Sequence, residues 1–147
     1  MKIGIASDHR GYETKQILTN YLKELGYDVI DLGTNSKERV DYPKYGFILG
    51  EAVSRKEVDY GIAICGSAIG ICIACNKVKG IRCGKINTPE EAIHGRENDF
   101  INVLALSGEA DIELNKKIID AFFSTKENLD DPVYLNRVKQ IEEYENA

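Results

Sequence analysis

The sequence predicts an α/β fold, a five-stranded parallel sheet with helices on both faces. Apolar runs of strand length alternate with amphipathic helical stretches along the whole chain, and Gly, Pro, Asn and Asp punctuate the joins. The third and fifth runs, VDYGIAIC (58–65) and INVLALSG (101–108), are almost continuously apolar. Strands covered on both sides read this way, so these two belong inside the sheet. The chain has 147 residues, enough for one domain over 1–147 with a real core and too few for two of ordinary size.

The elements follow in order. KIGIAS (2–7) is a strand that stops at the polar cluster DHRG. From Tyr12 to Leu25, the residues Ile17, Leu18, Tyr21, Leu22 and Leu25 recur at helical spacing, and Gly26 ends the helix. YDVIDLG (27–33) alternates as a strand, and NSKERVDYP (35–43) is a charged loop closing on a proline. Tyr45–Ser54 is helical, 58–65 is the third strand, and Ala68–Asn76 has the length of a short buried helix. GIRCGKI (80–86) is the fourth strand. Thr88-Pro89-Glu90-Glu91 opens a helix over 88–98 with an N-cap followed by proline at the first helical position. After the fifth strand come an amphipathic helix, Ile112–Phe123, and a last helix over 130–145.

Composition removes several function classes. A net charge of −5 argues against a nucleic-acid backbone as the main partner, though not against a small anion in a local pocket of donors. No apolar run approaches the ~20 residues of a membrane span. Met1-Lys2 leads straight into a strand, so no signal peptide is expected, and four cysteines then imply free thiols in a reducing cytoplasm.

In parallel α/β sheets ligands sit beyond the carboxyl ends of the strands. The residues there are Asp8-His9-Arg10, Gly33-Thr34, Cys65-Gly66-Ser67 and Ser107-Gly108-Glu109. CGSAIG (65–70) joins a strand to a helix with small residues, so backbone N–H groups can approach an anion there. It matches neither the dinucleotide fingerprint nor the P-loop, and it equally suits a tight turn. Cys65, near a helix start, should have a lowered pKa and serve as base or nucleophile; a small buried hydrophobe is the alternative. Cys72, Cys75 and Cys83 lack a fourth Cys or a nearby His to complete a zinc set, so no metal is expected. Asp8 and His9 can bind a sugar hydroxyl and an anion, or Asp8 can simply cap the first helix.

The stretches SDHRGYETK, YDVIDLGT, ERVDYP, GIAICGSAIGICIACNKVKGIR, ENDFINVLALSG and NRVKQIE follow one another across almost the whole chain. Together they resemble the type B ribose-5-phosphate isomerase and galactose-6-phosphate isomerase family, of which this chain would be a divergent member. The resemblance implies a Rossmann-like three-layer α/β/α sandwich. It also implies a homodimer with shared active sites, in some cases a tetramer, with the 130–145 helix at the interface. The implied reaction is aldose–ketose interconversion of a sugar phosphate without metal or cofactor. On this match Cys65 is the base that moves a proton through an enediolate. Gly66, Ser67, Ala68, Ile69 and Gly70 cradle the enediolate oxygens with backbone N–H groups. Asp8 and Tyr42 contact the sugar, His9 contacts the phosphate, and Arg137 reaches the phosphate from the partner.

The chain departs from the family pattern in places. Ala68 stands where glycine is usual. Glu97 precedes the Asn98-Asp99 pair where a ring-opening histidine is expected, so Glu97 or His94 would take that role with Asn98 in the binding set. Glu109 and Val133 replace usual arginines. Ribose 5-phosphate is therefore expected to be a weak substrate unless Arg10 or Arg39 compensates. A different or unphosphorylated sugar, or a non-catalytic binding role, is the alternative.

Overall fold

A computed structural model describes all residues, 1–147. Its elements are β1 (Lys2–Ser7), α1 (Tyr12–Glu24), β2 (Asp28–Asp31), α2 (Tyr42–Ser54), β3 (Tyr60–Cys65), α3 (Ile69–Asn76), β4 (Cys83–Lys85), α4 (Pro89–Asp99), β5 (Val103–Ser107), α5 (Ile112–Ser124) and α6 (Pro132–Glu145). A single 3-10 turn, His9–Gly11, joins β1 to α1. The five strands are all parallel, in the order β2-β1-β3-β5-β4. β3 is central and β5 lies inside the sheet, as their apolar character requires.

The strand period of two sorts side chains onto two faces. Ile3, Ile5, Ile62, Ile64, Leu104 and Leu106 face Leu18 and Leu22 of α1 and Ile118, Ile119 and Phe122 of α5. Ala92 of α4 joins the same core. Arg96 is buried beside it, its guanidinium 4.0 Å from the Tyr60 ring centroid and 4.9 Å from that of Phe122. Ala6, Ala63, Cys65 and Val103 point the other way, toward Leu49, Ala52 and Val53 of α2 and Ile71 and Cys75 of α3.

Some boundaries differ from the sequence reading. α2 begins at Tyr42, because Pro43 fits the first helical turn and Asp41 before it is extended. β4 shrinks to Cys83–Lys85: it is an edge strand paired only with β5, Gly80 turns left-handed before it, and the Arg82 amide bonds the Asn102 side chain. α6 docks near the amino ends of the strands, where Glu145 accepts from the Gly80 amide at 2.6 Å. It leaves Val133, Ile141 and Tyr144 exposed. No helix is long and apolar enough to cross a membrane.

Candidate active site

Cys65 is the last residue of β3 and only 4% exposed. The extended strand ends there because Gly66-Ser67-Ala68 turns the chain into α3. The Cys65 carbonyl accepts from the Gly108 amide at 2.9 Å, tying the ends of β3 and β5 together. Ser107 Oγ donates to the Gly66 carbonyl at 2.6 Å, and Asn115 Nδ2 donates to the Ser107 carbonyl at 3.1 Å. In a planar trans peptide the C=O and the next N–H point in opposite directions. Fixing the Gly66 oxygen therefore aims the Ser67 N–H the other way. Ser67 Oγ accepts from the Ile69 amide at 3.2 Å, while the amides of Ser67, Ala68 and Gly70 donate to no protein acceptor. Ala68 is buried at φ 69°, a left-handed conformation that costs a non-glycine residue about 1–2 kcal/mol. The sequence thus keeps a glycine-type turn with an alanine in it.

Tyr42 closes one side. A Cβ added at Gly70 would lie 2.5 Å from Tyr42 Cζ, so the ring rests directly on the α3 backbone. Asp8 is buried and caps the 3-10 turn, its Oδ1 accepting from the Arg10 and Gly11 amides at 3.0 and 3.1 Å. The capping role weighed from the sequence is therefore real, and both bonds use the same oxygen. His9 Nδ1 meets the Val40 backbone, 3.1 Å from its carbonyl and 3.2 Å from its amide; only one of these bonds forms in a given tautomer. Either choice leaves Nε2 free of protein partners.

Arg10, which the sequence could not place, is in the site. A Cβ added at Gly66 would lie 2.7 Å from Arg10 Cζ, and Arg10 Nη2 pairs with Glu109 Oε1. Its signal was position alone, in the first residues after β1. Ser107 was visible only as another strand-end residue.

The remaining candidates lie elsewhere in the protomer. His94, Glu97 and Asn98 sit on α4, which packs on the α1/α5 side of the sheet, opposite the side chain of Cys65. α4 runs back toward the amino ends of the strands, where the Gly95 carbonyl accepts from the Ile101 amide at 3.2 Å. His94 Nδ1 is 3.0 Å from Asn98 Nδ2, and Glu97 contributes only its carbonyl, to the Asn128 amide at 3.0 Å. One protomer therefore does not bring them to Cys65. Arg137 is exposed on α6, beside Ile141 and Tyr144. No three His, Cys, Asp or Glu side chains stand together as metal ligands. The other cysteines are free and interact with one another. A hydrogen bond from the Cys83 side chain lowers the Cys72 pKa to about 7, and the same interaction, with Cys75 and burial, pushes Cys83 up.

A family model described as Ribose/Galactose Isomerase matches residues 3–141. The chain belongs to this family. It is 42% identical over 126 residues to the ribose-5-phosphate isomerase B of Escherichia coli, covering 85% of each chain. The solved Clostridium thermocellum ribose-5-phosphate isomerase B superposes with a TM-score of 0.96 at 41% identity, over 99% of this chain and 98% of that one. The Mycoplasma genitalium ribose-5-phosphate isomerase B, solved with bound ribulose 5-phosphate, gives 0.92 at 35% identity over 99% of this chain and 96% of that one. Membership of the ribose/galactose isomerase family makes the chain an aldose–ketose isomerase with the Rossmann-like α/β/α architecture that the sequence implied.

Proposed function

We propose that this chain interconverts ribose 5-phosphate and ribulose 5-phosphate through an enediolate, with Cys65 as the base. The observation that carries this reading is a buried thiol at the end of the central strand, next to backbone amides with no protein acceptor. As thiolate, Cys65 takes the proton from C2 of the open aldose. The C–H electron pair becomes the C1–C2 double bond, and the former carbonyl oxygen O1 becomes an oxyanion. The amides of Ser67, Ala68 and Gly70 stabilise that charge as it develops. The proton returns to C1, the hydroxyl proton passes from O2 to O1, and O2 becomes the ketone oxygen. Asp8 and Tyr42 hold sugar hydroxyls, the Gly66 amide completes the cradle, and His9 Nε2 meets the phosphate; the Ile69 amide, expected in the cradle from the sequence, is instead taken by Ser67 Oγ at 3.2 Å. No redox or metal partner enters the balance.

The site is completed by a second protomer. Arg137, His94, Glu97 and Asn98 stand away from Cys65 on their own chain, so their roles in phosphate binding and ring opening run across a dimer. Exposed Ile69 and Ile73 on α3 and Ile141 and Tyr144 on α6 supply apolar surface for it. Four free thiols suit a reducing cytoplasm.

Steady-state assays on ribose 5-phosphate, hexose 6-phosphates and free ribose test the reading. Ribose 5-phosphate is expected to be turned over with a kcat/KM at least about 10²-fold above that of free ribose. A wild-type protein silent toward every sugar phosphate overturns it. Sedimentation at micromolar concentration should give about twice the 16.4 kDa chain mass; an active monomer overturns the shared site.

A further inference from the structure

We infer that Arg10 is the side chain by which this isomerase selects a phosphorylated substrate, and that Glu109 is its displaceable partner. The inference rests on the proposed sugar-phosphate reaction. Beside His9 and the partner's Arg137, it adds a third side chain that reads the phosphate and the residue that competes with it.

The electrostatics of the strand ends need such a group. Asp8 and Glu109 bring two carboxylates to the carboxyl ends of β1 and β5, facing the loop after β3. A sugar phosphate adds a dianion. Of the residues that directly follow β1, β3 and β5, Arg10 alone is a lysine or arginine. Lys15, in the next helix, is fully buried and bonded to Asp31 at 2.6 Å, so it is not free to serve. Lys37 and Arg39 are exposed in the loop after β2, Lys37 pairing with Glu13, and neither is shown in contact with the loop after β3 as Arg10 is.

Arg10 is held at both ends. Its amide donates to Asp8 Oδ1 at 3.0 Å. Its carbonyl lies against Gly108, where an added Cβ would sit 2.7 Å from it, so only glycine lets the β5 end come this close. Thr14 Oγ1 then donates to the Gly108 carbonyl at 3.2 Å, fixing the same contact from α1. The guanidinium consequently lies over Gly66, within a residue of Cys65. Arginine presents a planar fork of donors that matches a phosphate's oxygens two at a time.

The Glu109 contact is built to open. The Arg10 and Glu109 side chains are 57% and 60% exposed, and ion pairs in such settings contribute little net stability. A doubly charged phosphate offers more negative charge and a second acceptor oxygen, so it displaces the carboxylate. Glu109 thereby keeps the guanidinium in place over Gly66 in the free enzyme and raises the threshold for weakly charged ligands. A free sugar has nothing to exchange for it.

The test measures kinetics and inorganic phosphate binding on wild type, Arg10→Ala, Arg10→Lys and Glu109→Gln. Phosphate affinity is read by calorimetry, independently of turnover. Arg10→Ala is expected to raise KM for ribose 5-phosphate about 10- to 100-fold and to weaken phosphate binding by a similar factor, with kcat within about threefold. Arg10→Lys should recover part of this, since it restores charge without the fork. Glu109→Gln should tighten phosphate binding about two- to fivefold. Circular dichroism confirms folding of these surface variants. Unchanged phosphate affinity in Arg10→Ala, or a wild type that binds no phosphate, overturns the assignment. A fall in kcat with KM constant also overturns it, because Arg10 would then act on the enediolate. Weaker phosphate binding in Glu109→Gln overturns the role of Glu109. If wild type binds phosphate through Arg10 but turns over no sugar phosphate, the proposed reaction fails and the Arg10 assignment stands.

Discussion

The two faces of the sheet are packed in opposite ways. The α1/α5 face is filled with large side chains, among them Ile3, Ile5, Leu104, Leu106 and Phe122. On the α2/α3 face the strands present mostly small residues, Gly4, Ala6, Gly61, Ala63 and Cys65, to Leu49, Val53 and Ile71, and glycines let α2 and α3 approach closely. At Gly46 an added Cβ would lie 2.7 Å from Ala74 Cβ, and at Gly50 one would lie 2.9 Å from Val78 Cγ2. Large-residue faces gain stability from buried apolar area and fail when a cavity opens. Small-residue faces gain backbone proximity and fail when overfilled. The proposed chemistry lies on the small-residue face, where N–H groups can reach a substrate that a bulky side chain would hold away.

The contrast can be broken first at Cys65. Cys65→Ala should cut kcat on the order of 10³- to 10⁴-fold while leaving the urea midpoint nearly unchanged. Turnover near wild type would remove Cys65 from the role of base. On the opposite face, Phe122→Ala should lower the unfolding free energy by about 3–5 kcal/mol in urea titrations, with kcat of the folded protein preserved. A comparable loss of kcat would mean that the two faces are not separable. Gly46→Ala should cost about 1–3 kcal/mol by wedging α2 away from α3; a neutral or stabilising change would show that this face has slack.

The smallest effect concerns the thiols of the same face. Because Cys72 ionises at about 7, its alkylation by iodoacetamide should rise as pH increases through 7 and level off near 8. Below that range the thiol is protonated and unreactive. Cys83, pushed upward, should stay unlabelled over the same interval. Peptide mapping checks both, and labelling of Cys83 ahead of Cys72 would contradict the assignment. Cys83→Ala should return Cys72 toward ordinary thiol behaviour, since the Cys83 side chain is the main cause of the shift.

The sequence by itself determined the order and type of the elements, the parallel sheet and the strand-to-helix turn at Cys65. These depend on period, caps and turn residues within a few positions of one another, and local backbone energetics suffice to set them. It also carried the family motifs, and with them the proposed base and its proposed cradle. Edge effects were less legible: β4 shortened because only one neighbour supports it, and Tyr42 joined a helix because the proline after it fits a first turn. Tertiary structure alone decided the rest. Arg10 and Glu109 are 99 residues apart, and Ser107 and Gly66 are 41 apart. They meet because the crossovers place β1, β3 and β5 side by side. The same strand order sends α4, with His94, Glu97 and Asn98, to the face opposite Cys65. Contacts of this kind follow from which strands become neighbours, and that is settled by burying the whole set of apolar faces together rather than by any segment alone.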